Sequence, residues 1–460
     1  MKLVEGRYLI TMDENRRIIR DGGLVYEGNK IVAVGKKEEL KREYAVDEIL
    51  GGKNYLVMPG LINTHMHLEL SFFRGLWEGL SLYLLKKSIA QAIPHMTEED
   101  IYTGSMLSLI DLVKNGVTTT IQISLKANKA AEAMMALGTR GVVCSAMQDR
   151  EVGEREAPTR STDEVLRENV ELVEKWNGAN QDRIRAWFGP YTELLTTPEL
   201  LQRTDELADK YNTGIHIHLA ETYESQMLTQ RMYGKRVFEY AYDTGILGSN
   251  VIAAHACWLS EKEIKIIKKT DTKIAYCPCV EMMIADGIAP AARLLSEGIT
   301  LCIAIDANSN NQTSDLLRDA RVASLVQKNL PLLDPEVMPA EQMMETITTN
   351  PAKALMWEKE IGSLKVGKKA DMVLVDIRKP YFTPIIEDLG TNIVSNLIFA
   401  GSGNDVNTVI IDGQLVVKDK VLQTIDEEKV LMEFQEAAES LVKRSNYTTN
   451  KKEAQRWTIV

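Results

Sequence analysis

Histidine is scarce in this chain, with six in 460 residues, yet the histidines fall close together. His65 and His67 stand one residue apart in Asn63-Thr64-His65-Met66-His67. His216 and His218 do the same in Ile215-His216-Ile217-His218-Leu219-Ala220-Glu221, with Glu221 three residues beyond the second. His255 lies between Ala254 and Ala256, and an apolar run ends in Ile305-Asp306. Neutral imidazoles and carboxylates are the usual ligands of a divalent metal. Side chains two apart in a strand share a face, so His65 and His67 could grip one cation together. His218 and Asp306 would add a third and a fourth ligand from other strands. Three imidazoles and one carboxylate suit zinc, and iron(II) or another divalent ion also fits. An ion with one open position would lower the pKa of a bound water to about 7. Glu221, just past a ligand, suits a proton shuttle. His255 could orient the nucleophile or stabilise developing negative charge. His216 reads as a support one layer below a ligand, and His95 as a surface residue before a helix cap. Cys277-Pro278-Cys279 could be half a metal site, but the favoured reading is small packing side chains at a strand end.

These residues need elements that bring them to one place. Apolar, β-branched runs at 55–66, 116–123, 140–147, 184–189, 213–219, 250–255, 272–277 and 299–305 read as eight strands. Helical stretches separate them. One at 98–114 opens on Thr97 with Asp100 in a capping-box spacing and closes at Asn115-Gly116; others cover 163–175 and 198–211, the last opening on Thr197-Pro198. Buried strands alternating with helices imply a parallel sheet, and eight repeats suit a (β/α)₈ TIM-type barrel, with a doubly wound open sheet as the rival. A barrel places its active site at the C-terminal strand ends, where five of the six histidines fall. Both chain ends read differently. Gly23–Gly35 is a hairpin, 370–376 a strand, and Val409–Val417 a hairpin around Asp412-Gly413. The expected division is a small β-sandwich from 1–58 plus 358–422, a barrel over 59–357, and a helical tail over 423–460.

Composition narrows the partners. The net charge of −11, from 54 basic and 65 acidic residues, argues against nucleic acid or an anionic membrane. No apolar run is long enough to span a bilayer, and the first residues lack a signal-peptide pattern. An odd count of five cysteines suggests reduced thiols and a cytoplasmic protein.

The motifs together resemble the amidohydrolase superfamily, in the branch of S-adenosylhomocysteine/methylthioadenosine deaminases and s-triazine chlorohydrolases and deaminases. The matching stretches are 58–67, 115–120, 218–222, 253–255, 286–290 and 361–371. The resemblance implies the same barrel and sandwich, one metal on His65, His67, His218 and Asp306, and Glu221 and His255 as catalytic partners. It implies that Asp306 doubles as a base and that the reaction is hydrolytic release of ammonia from an amino-substituted N-heterocycle. Loss of chloride, an alkylamine or an amide or urea nitrogen is the alternative, and a catalytically inactive binding relative the reading from another class. Relatives are commonly homodimers or homotetramers. The departures lie where substrate would be read. Tyr191 stands where the pattern has a histidine, Val280-Glu281 replaces Ser-Asn, and Ala307-Asn308-Ser309-Asn310-Asn311 replaces Gly-Ala-Ala-Ser-Asn. Phe72, Phe73 and Trp77 are expected as an apolar lid, and Tyr191 and Asn308 as readers of polar edges.

Overall fold

The computed structural model describes residues 1–151, 160–330, 333–388 and 390–448. Its centre is a parallel sheet of eight strands: Leu61–Asn63, Val117–Ser124, Arg140–Met147, Ile184–Pro190, Ile215–Leu219, Val251–His255, Lys273–Tyr276 and Leu301–Ile303. Each strand pairs with its successor in the chain, so spatial and chain order coincide. A doubly wound sheet reverses its order part-way, which this one does not. The first and last strand ends are joined by two hydrogen bonds. Ile305 N–H donates to the Asn63 side-chain oxygen at 3.0 Å, and Asp306 N–H to the His65 carbonyl at 3.1 Å.

Alternation along the strands sorts the side chains. Ile215, Ile217 and Leu219 pack with the helical layer, which leaves His216 and His218 for the interior. Leu301, Ile303 and Ile305 likewise face outward, whereas Cys302 and Ala304 face the inner cluster with Ile121, Ile123 and Trp187. The helix expected at 98–114 is Glu98–Lys114, and both halves of its Thr97–Asp100 capping box are formed. The helices Thr162–Trp176 and Pro198–Tyr211 are also present.

The run expected as one strand over 55–66 is two. Glu48–Pro59 belongs to the chain-end sheet and Leu61–Asn63 to the barrel. Gly60 makes the junction, because a Cβ there would overlap the Thr118 side chain. The chain-end sheet has nine strands of mixed direction. Neither end builds it alone, since Glu48–Pro59 pairs parallel with Lys2–Ile10 and antiparallel with Met372–Asp376. Val4, Leu24, Val57, Leu374 and Ile410, from five of its strands, meet in one apolar cluster. The Asp412-Gly413 hairpin turns with φ of +52° and +76°, the left-handed pair a tight two-residue loop requires. In the tail, helix Glu427–Ser445 is capped by Asp426, and the part of the expected tail at 449–460 lies outside the described residues. Among the described residues no helix is long and apolar enough to cross a membrane.

Candidate metal centre and active site

Four strand ends deliver the polar residues to one point. The first strand ends at Asn63, so His65 and His67 lie beyond it rather than on it. Their convergence comes from the loop's own anchors. The Asn63 amide donates to the His65 carbonyl at 3.0 Å, and Ile123 N–H donates to Met66 at 3.0 Å. At the other ends the backbone bends sharply. Ala220, His255, Ala256 and Asp306 all have positive φ, between +53° and +73°. Such conformations are uncommon for side chains with a Cβ and gather where a site demands them.

Ring orientation decides what the histidines offer. His67 Nδ1 lies 2.9 Å from the Ile123 carbonyl, and His218 Nδ1 lies 2.7 Å from the Tyr191 carbonyl. A carbonyl only accepts, so when either ring is neutral its Nδ1 carries the proton and its Nε2 presents a lone pair. His65 Nδ1 is paired with His216 Nε2 at 2.7 Å, and the His65 Nε2 is buried without a hydrogen-bond partner among the described residues. His216 therefore backs His65, not His218, its neighbour on the strand. Asp306 Oδ1 stands 3.3 Å from His65 Nε2 and 3.6 Å from His67 Nε2, and His218 Nε2 is 3.3 Å from His67 Nε2. Ligands about 2.1 Å from a shared tetrahedral ion lie about 3.4 Å apart. These three separations are therefore those expected between ligands of one divalent cation, and among the described residues His65, His218 and His255, and His65, Cys277 and Asp306, also lie close enough together to hold an ion.

Electrostatics divides the cluster. Burial pushes His65 down to about 4 and lowers His216 and His218 well below the usual imidazole range. Burial works against ionisation of Asp306, but His65, His67 and His255 override it and hold the carboxyl far below its ordinary value. On the opposite side His255 Nε2 lies 3.7 Å from Glu221 and Nδ1 lies 3.4 Å from Glu281. Burial lowers His255, but Glu221 and then its other neighbours raise it well above the usual range.

The amidohydrolase family model matches residues 56–416. The chain belongs to the amidohydrolase family. A 5'-deoxyadenosine deaminase of Methanosarcina mazei is 33% identical over 448 residues, covering 96% of this chain and 99% of that protein. A 5-methylthioadenosine/S-adenosylhomocysteine deaminase of Caldanaerobacter subterraneus is 32% identical over 443 residues, covering 96% and 98%. This amidohydrolase is therefore a hydrolase. Among solved structures, a zinc-bound adenosine deaminase from Xanthomonas campestris superposes with TM-score 0.89 at 24% identity, over 96% of this chain and 98% of that one. The atrazine chlorohydrolase of Arthrobacter aurescens does so with TM-score 0.86 at 21% identity, over 95% and 100%. Those two likenesses speak for the fold.

A cavity of about 310 Å³ opens over the amidohydrolase's polar cluster. His67, His218, Glu221, His255, Asp306 and Tyr191 border it. Phe72, Phe73 and Trp77 do not form the expected lid. Phe73 and Trp77 stack at 4.3 Å, the Trp77 indole N–H donates to the Tyr447 hydroxyl at 3.0 Å, and Phe72 meets Phe434. They anchor the C-terminal helix, because that is where an apolar face stands ready to cover them. Leu82, Leu85 and Ile89, from helix Leu82–Ala92, line the cavity instead. Asn308 is also held away, buried and paired with Ser314 at 3.0 Å, while Asn310 borders the cavity. His95 is exposed, as expected. Cys277 is buried beside His255 and Glu281, and so packs against the site itself. Sequence reading passed over three acids here. Glu69 borders the cavity and burial raises it to about 7; Glu281 and Asp286 stand behind His255 and Glu221, and burial and then Glu221 raise Asp286 to about 8. Glu281 had a visible signal, an acid where the pattern carries an amide, and Glu69 stood two residues past His67.

Proposed function

We propose that this amidohydrolase is a metal-dependent deaminase that hydrolytically releases ammonia from an amino-substituted N-heterocycle, an adenosine-type compound in the first instance. One observation carries the reading: three imidazole Nε2 atoms and the Asp306 carboxylate converge beneath a cavity that Glu221 and His255 also face. The names of the two curated relatives above, both adenosine-derivative deaminases, support the substrate class.

His65, His67, His218 and Asp306 would hold one zinc ion, or iron(II), which when bound polarises and acidifies the attacking water. Glu221 accepts a proton from that water and returns it to the departing nitrogen, so ammonia leaves neutral as the carbon–nitrogen bond breaks. His255 donates from Nε2 toward the oxygen that gains charge during the attack. Asp306, held ionised by the surrounding imidazoles, is the second proton acceptor. Tyr191, partly buried at the cavity wall, reads the substrate edge, its hydroxyl pushed up in pKa first by desolvation and then by Glu221. The five unpaired cysteines support a cytoplasmic setting, and a homodimer or homotetramer is our reading of the assembly.

The test is ammonia release from 5'-deoxyadenosine, adenosine and simple aminopurines, before and after chelation and zinc replacement. Release that is lost on chelation and restored by zinc is the expected result. If every compound is untouched, deamination is wrong. Tyr191 in place of a histidine favours one second reading, displacement of chloride or an alkylamine. Mass analysis of the products separates that from deamination.

A further inference from the structure

Glu281 sits behind the site rather than in it. It belongs to the short helix Pro278–Met283, is 1% exposed, and does not border the cavity, whereas its neighbour Val280 and both Glu221 and His255 do. Its placement is fixed by backbone. One carboxylate oxygen accepts from Cys277 N–H at 3.0 Å, the Glu281 N–H donates to the Cys277 carbonyl at 3.0 Å, and the Glu281 carbonyl accepts from Asp286 N–H at 2.9 Å. That same oxygen is the acid atom facing His255 Nδ1, at 3.4 Å.

The imidazole it faces is held awkwardly by its own strand. Val251 and Ala253 pack with the helical layer and Ile252 with the inner cluster, so alternation would turn His255 outward. Positive φ at His255 and Ala256 turns it inward instead. Among the described residues, neither His255 Nδ1 nor the second Glu281 oxygen has a hydrogen-bond partner. The ring is 1% exposed, so no solvent compensates. A buried imidazole with one nitrogen directed at a fixed carboxylate has its other nitrogen directed by the same contact.

We infer that Glu281 is a positioning residue for the proposed deamination, aiming His255 Nε2 at Glu221 and the cavity through its hold on Nδ1. The inference rests on the reading of His255 given above. An amide at this place, as in the Ser-Asn pattern, is shorter and uncharged, so the chain carries its own solution here.

The test uses the full-length, zinc-loaded protein with Glu281→Gln, which keeps the shape and removes the charge. With 5'-deoxyadenosine as substrate, kcat should fall about 10- to 100-fold, the usual effect of removing such an outer partner. KM should stay within about twofold, with zinc content and melting temperature unchanged. A kcat within about twofold of wild type overturns the inference. So does a loss that tracks zinc content. So would two ions per wild-type chain falling to one in the variant, which would make His255, Cys277 and Glu281 a second metal site. If the wild type deaminates nothing, the functional reading fails and the pairing is judged separately. With six histidines, ¹⁵N-histidine NMR resolves the His255 ring, assigned by a His255→Asn variant. Its Nδ1 signal moves in Glu281→Gln if the pair exists, and an unmoved signal overturns it.

Discussion

Two buried charge clusters in this molecule are built to opposite ends. Where the barrel meets the chain-end sheet, Arg140 is fully buried and donates to Asp371 from Nε at 2.8 Å and from Nη2 at 3.1 Å. Nη2 also reaches Asp412 at 3.1 Å, and Arg183 and Lys369 close on Asp412 from other sides. None of the polar atoms of Arg140, Asp371 or Asp412 is left buried without a partner. At the strand ends, burial is as deep but the pairing is unfinished. Among the described residues, His65 Nε2, His255 Nδ1, and one oxygen each of Glu69, Glu281 and Asp286 lack hydrogen-bond partners. A buried polar atom without a partner costs about 1–3 kcal/mol, so a fold keeps several together only where something else is to engage them. The complete cluster is a clamp, and the incomplete one is a receptor.

The contrast can be broken by experiment. The largest effect belongs to Glu221→Gln. Turnover should fall about 10²- to 10⁴-fold, the range for losing a general acid–base, while zinc content and melting temperature stay near wild type. Kinetics alongside metal analysis checks this, and unchanged turnover removes Glu221 from the mechanism. Arg140→Met should do the reverse. Stripping the cation from two buried carboxylates should cost about 3–5 kcal/mol of stability, read by denaturant unfolding, with kcat per folded molecule intact.

The smallest effect is in pH. Burial works to raise Asp412, but Arg140 and Lys369 outweigh it and hold the carboxyl below its ordinary value. A group with a depressed folded pKa contributes stability that is full above its unfolded value, about 3.9, and lost as pH falls through the folded value. The stability gap between wild type and Arg140→Met should therefore be constant near neutrality and narrow below about pH 4. A gap that widens in acid would mean the clamp is not held by these charges.

The two clusters also differed in how far they could be read beforehand. His65, His67, His218 and His255 were legible because a scarce residue type sat at the ends of strongly patterned strands, and Glu221 and Asp306 because they stood at those same ends. The clamp was not, since Arg140, Asp371 and Asp412 are common residue types separated by 231 and 41 positions. The aromatics misled for a related reason. Phe73 and Trp77 follow the metal-site loop, but a stacked pair is buried by whichever apolar face is closest, and that face belongs to a helix some 370 residues away.

By itself the sequence determined the strand and helix periods, the barrel they imply, and the donor types available to a metal, because each follows from local patterning and side-chain chemistry. Only the tertiary structure decided which way each donor points. The proton positions on His67 and His218 are set by carbonyls of Ile123 and Tyr191, on neighbouring strands or their ends. His216 serves His65 rather than its strand neighbour. Glu281 meets His255 only because two strand ends lie side by side and a left-handed turn swings the ring inward. Such pairings depend on strand register and backbone bends across the barrel mouth, which no local stretch of sequence encodes.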